Sequence, residues 1–73
     1  MIEKSITFKT FEDCQRFCNI ASKQDYGIDL KVGNRTVDAK SLEGIYSLGL
    51  DKELTIRANT DNADEFFNQL NDF

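Results

Sequence analysis

The run Lys40-Ser41-Leu42-Glu43-Gly44-Ile45-Tyr46-Ser47-Leu48-Gly49 divides the 73-residue chain near its middle. Ser41 carries a hydroxyl that can accept a free N–H of a first helical turn, and Gly49 is a residue on which helices stop. The run therefore predicts a short helix over Leu42–Leu48. Upstream, Ile28, Leu30 and Val32 alternate with Asp29 and Lys31, the period of a half-buried strand. Gly33-Asn34 then reads as a two-residue hairpin turn, since both residues tolerate positive φ. Val37 and Ala39 supply the inward face of the returning strand. Downstream, Leu54, Ile56 and Ala58 alternate with Thr55 and Arg57, which predicts another strand.

The ends of the chain complete the pattern. Ile2, Ile6 and Phe8 alternate with Glu3, Ser5 and Thr7, while Lys4 interrupts the apolar face, as on an edge strand. Thr10 is a candidate N-cap, with Glu12 and Asp13 in the first turn, close to a capping box. Phe11, Cys14, Phe17, Cys18 and Ala21 follow at helical spacing, so a helix is predicted over about residues 11–23. Ala63, Phe66, Phe67, Leu70 and Phe73 mark one stripe of a last helix, with Asn62 or Thr60 as its cap. The order is β-α-β-β-α-β-α. It implies an α+β fold: a four-stranded antiparallel sheet with three helices on one face, an open-faced β-sandwich. Phe11, Phe17, Phe66 and Phe67 are expected to pack on the inner face of the sheet.

Bulk properties narrow the function. The length fits one domain over residues 1–73, and 40% hydrophobic residues suffice for one core. A net charge of −4 opposes binding to nucleic acid and to anionic lipid. No stretch is apolar enough to span a membrane and no leader is evident at Met1, so a cytoplasmic protein is expected. Cys14 and Cys18 are four apart on one helix, a poor geometry for a disulfide, and are expected to be buried thiols. There is no histidine. Without it, neither a Cys/His nor a Ser/His/Asp constellation can form, so no enzyme is expected. No cofactor is implied. Glu12, Asp13 and Glu43 are too scattered in sequence for a metal site and read as a solvated acidic face.

The element order and the 40–49 run resemble HPr, the small phosphocarrier family of the bacterial sugar phosphotransferase system. Ala21-Ser22-Lys23, the hairpin from Ile28 to Ser41, Gly44-Ile45-Tyr46-Ser47-Leu48-Gly49 and Leu54-Thr55-Ile56-Arg57-Ala58 carry the likeness, over roughly two-thirds of the chain. The resemblance implies the fold just described, and it places the family's phosphohistidine at the start of the first helix, next to an arginine and a proline. Carried back along the chain, Thr10 stands at the histidine, and Glu12 and Asp13 stand at the arginine and proline. The phosphoryl relay is thus missing its acceptor, and the charge around it is inverted.

Ser41 matches the serine that a dedicated kinase phosphorylates in the regulatory branch of the family. A phosphate there would face the free N–H groups of the helix start, with Glu43 opposing it and Lys40 offsetting Glu43. A plain N-cap explains Ser41 equally well. Glu43 also replaces an apolar residue of the patch HPr presents to its partners. Lys40, Leu42, Glu43, Tyr46, Thr10 and Glu12 are the candidate partner-binding residues. Among Leu42, Ile45 and Tyr46, Tyr46 is the expected exposed anchor. The partners implied are proteins, including an HPr-type serine kinase and regulatory proteins, with the chain a monomer or weak dimer. Two readings stand: a regulatory adaptor with Ser41 as its phosphorylation site, or a degenerate HPr-like binding module that is never phosphorylated.

Overall fold

A computed structural model describes all residues, 1–73. The elements are β1 (Ile2–Ile6), α1 (Phe11–Ser22), β2 (Ile28–Val32), β3 (Arg35–Asp38), α2 (Leu42–Leu48), β4 (Leu54–Ala58) and α3 (Asp64–Asn68). The four strands form one antiparallel sheet in the order β1-β4-β2-β3. Strand register sorts the side chains. Lys4, Ile56, Leu30 and Val37 lie in one row across the inner face, and Glu3, Arg57, Asp29 and Asp38 lie in one row across the open face. The inner row and its neighbours join Cys14, Phe17 and Ala21 of α1, Ile45 and Leu48 of α2, and Phe66 of α3 in one hydrophobic core. The predicted open-faced sandwich is the fold observed.

The departures have local causes. Lys4 sits on the inner face of the edge strand, but its Nζ lies 5.4 Å from the centroid of the Phe67 ring, so the charge is held over a π-face at the rim. Phe8 lies past the end of β1 and is still buried, with its ring 5.2 Å from that of Phe17. In the hairpin turn only Gly33 takes positive φ, +56°; Asn34 does not. Gly49 ends α2 at φ +86°, ψ −178°, a region that a Cβ makes costly.

Two expectations about helices are corrected. The last helix is shorter than its stripe. After Asn68 the chain continues in tighter turns, with Leu70 N donating to Phe67 O and Phe73 N to Leu70 O, which still direct Leu70 and Phe73 inward. Its N-cap position is Ala63, and the side-chain oxygen of Asn62 accepts from Asp64 N at 3.0 Å instead. Phe11 is not in the core. It is 56% exposed, and its ring meets Tyr46 of α2 rather than the sheet. Cys18 is only half-buried, and both cysteines are free thiols.

Candidate functional site

The start of α1 is closed by its own side chains. Thr10 is the N-cap, with extended backbone, and its Oγ1 accepts from Asp13 N at 3.1 Å. Asp13 Oδ2 reaches back and accepts from Lys9 N at 3.1 Å. This is the reciprocal logic of a capping box, shifted by one residue, so a carboxylate stands where free N–H groups could meet an anion. Arg16, one turn on, is already engaged: Nη1 is 3.8 Å from Asp13 Oδ1, Nη2 is 2.8 Å from Asp72 Oδ2, and the guanidinium lies 4.4 Å from the centroid of Phe73.

Helix α2 lies beside α1. Phe11 and Tyr46 meet edge to face at 5.3 Å and 78°, and Gln15 Nε2 donates to the Tyr46 hydroxyl at 3.0 Å. Ser41 caps α2, its Oγ accepting from Gly44 N at 3.3 Å, and it is exposed. Gly44 allows α2 to come this close to the sheet, since a Cβ there would stand 3.2 Å from Val37 Cβ. At the other end of α2, Arg35 of β3 donates to Ser47 O at 2.9 Å and to Ser47 Oγ at 2.8 Å, a cation at a helix C-terminus.

The candidate residues divide accordingly. Thr10, Glu12, Glu43 and Ser41 are exposed, Leu42 and Tyr46 are half-buried, and Ile45 is fully buried. Lys40 does not offset Glu43: its Nζ donates to Gln24 O at 2.9 Å. No three acidic or thiol side chains converge as metal ligands. Sequence reasoning missed Gln15, Arg16, Asp72 and the exposed role of Phe11. Phe11 shares the helical period of the core residues, and the Arg16–Asp72 pair spans 56 positions, so no local pattern marked either.

The family described as "PTS HPr component phosphorylation site" matches over residues 13–73. This chain belongs to the HPr family. The match begins at Asp13, just past the Thr10–Glu12 segment. An HPr from Thermoanaerobacter tengcongensis shares 30% identity and a TM-score of 0.80, covering 99% of this chain and 89% of that one. Two more distant likenesses concern the fold alone. The phosphocarrier protein HPr of Bacillus anthracis has 24% identity, a TM-score of 0.75 and coverages of 94% and 90%. A histidine-containing phosphocarrier protein of Mycoplasma has 17% identity, a TM-score of 0.77 and coverages of 97% and 89%. HPr proteins are phosphocarriers that work through protein partners of the phosphotransferase system. No helix of this HPr-family chain is long and apolar enough to cross a membrane.

Two weakly acidic side chains give the fold a pH limit. Burial, then the Asp13 carboxylate, pushes the Cys14 thiol above its ordinary 9.0, against a smaller lowering by its backbone hydrogen bond. Burial, then Asp25 and Glu65, pushes the Tyr26 phenol above 10.0. Both groups ionise more readily in the unfolded chain, which therefore binds fewer protons at high pH. Their contribution to stability is complete below the unfolded values and is lost as pH rises through the folded ones. The urea midpoint is expected to hold steady up to about pH 8.5 and to fall above about pH 9. The fall should be smaller in Cys14→Ala/Tyr26→Phe; an identical pH profile in that variant would contradict the assignment.

Proposed function

We propose that this HPr-family chain does not carry phosphoryl groups and acts in the cytoplasm as a regulatory or adaptor protein, not as an enzyme. The observation that carries the reading is the state of the α1 N-terminus. The chain has no histidine, and the Asp13 carboxylate is bound to Lys9 N at the helix start where an acceptor site needs positive charge. Function is then left to protein contacts around α1 and α2, through Thr10, Glu12, Lys40, Leu42, Glu43 and Tyr46. Ser41, exposed at the start of α2, is the candidate regulatory phosphorylation site.

A second reading, a binding module for an unrelated protein partner with no phosphorylation, draws on Lys40. Because its ammonium is turned to Gln24 O, a phosphate on Ser41 would meet Glu43 without that offset. Intact-mass analysis after incubation with ATP and an HPr kinase separates the two. The regulatory reading expects one added phosphate that is absent in Ser41→Ala. No addition, with an authentic HPr modified in the same tube, would favour the second.

A further inference from the structure

We infer that the Phe11–Tyr46 face docks a protein partner that presents cationic side chains around an apolar surface. The inference rests on the adaptor reading of this same region and names the chemistry of its partner.

The aromatic centre is built before any partner arrives. Phe11 and Met1 are the only large hydrophobic side chains that are mostly exposed. Phe11 does not hang free: its ring is set edge to face on Tyr46, whose hydroxyl is in turn held by Gln15. Two rings from two helices are thus fixed in one orientation with little rotamer freedom left to lose. Rigid aromatic anchors of this kind supply much of the energy of protein interfaces.

The rim is negative and uncompensated. Glu12 lies one turn before Gln15, the residue of α1 that holds the Tyr46 hydroxyl, and Glu43 lies three residues before Tyr46 on the same side of α2. Both are exposed, and neither belongs to any of the ion pairs of the protein, which join Lys9 to Asp51, Arg16 to Asp13 and Asp72, and Arg57 to Glu3. The cations nearest in sequence are therefore directed elsewhere, Lys9 and Arg16 to those carboxylates and Lys40 to Gln24 O. An anionic surface meeting this face is repelled, whereas lysine or arginine beside an apolar contact pairs with Glu12 and Glu43 as the rings are covered.

The test uses the full 15N-labelled chain, unphosphorylated, and two synthetic amphipathic helical peptides. The peptides share one leucine face, flanked by lysines in one and by glutamates in the other. The lysine peptide is expected to shift the amide signals of residues 11–15 and 42–46, and the glutamate peptide to leave them in place. Glu12→Gln/Glu43→Gln, both at exposed positions, should weaken the lysine peptide by about fivefold and remove most of its salt dependence. Phe11→Ala should weaken it further at any salt concentration. Equal binding of the two peptides, shifts on another surface, or no shifts with the lysine peptide would each overturn the inference. Since no phosphate is present, a Ser41 that no kinase modifies leaves this outcome untouched, and a modified Ser41 does not rescue a face that fails to bind.

Discussion

Phe17→Ala is expected to leave the protein unfolded, or nearly so, at room temperature. Phe17 is fully buried and joins three parts of the chain: its ring lies 5.2 Å from Phe8, after β1, and 6.0 Å from Phe66 of α3. Truncating such a residue removes about 3–5 kcal/mol through lost transfer energy and a cavity. A domain of this size holds on the order of 5 kcal/mol in all. Urea denaturation followed by far-UV circular dichroism measures the loss. A cooperative transition displaced by less than about 1 kcal/mol would mean that the core collapses around the gap more readily than its packing implies. Phe11→Ala provides the contrast. It should change stability by about 1 kcal/mol or less, because only the exposed contact with Tyr46 is lost.

On the reading proposed above, with Thr10 at the position of the family's histidine, installing a histidine there should not restore phosphoryl relay. Thr10→His, offered the phosphorylated protein that donates to HPr in the phosphotransferase system, is expected to take up phosphate at least about 100-fold more slowly than an authentic HPr. Two effects add. The cap on Asp13 N is lost, at a cost of about 1 kcal/mol in the stability of the helix start. Charge matters more. At about 6 Å and an intermediate dielectric, each unit charge is worth on the order of 1 kcal/mol, so two carboxylates in place of one cation raise the barrier by about 3 kcal/mol. Arg16, the cation one turn on, is directed to Asp72 at 2.8 Å. Thr10→His/Glu12→Arg, a change of two unit charges, should recover about 30-fold, which isolates the electrostatic part. Transfer to the single Thr10→His variant at the rate of authentic HPr would show that the carboxylates do not matter.

Much of the fold was legible because its signals are local. Strand alternation at Ile28–Val32 and Leu54–Ala58, and the caps Thr10 and Ser41, act within a few residues, and they appear in the structure where the pattern placed them. The same period misled at Phe11. Helical spacing groups it with Cys14 and Phe17, but the first turn of α1 lies against α2, and only the packing of the two helices reveals that. The last stripe misled differently: apolar spacing from Ala63 to Phe73 is satisfied by one short helix and two tight turns as well as by a long helix.

The chemistry divides along the same line. The absence of histidine is a property of the sequence, and it is the ground on which we propose that the chain carries no phosphohistidine. Which charges remain available is a tertiary matter. Arg16 is tied to Asp72 across 56 positions, Lys40 is drawn to a carbonyl 16 residues away, and Tyr46 is fixed by Gln15 from 31 residues away. Contacts at that range depend on how sheet and helices pack, so composition and periodicity carry no trace of them. They decide that the surface around α1 and α2 presents carboxylates and aromatic rings while its cations face inward or elsewhere.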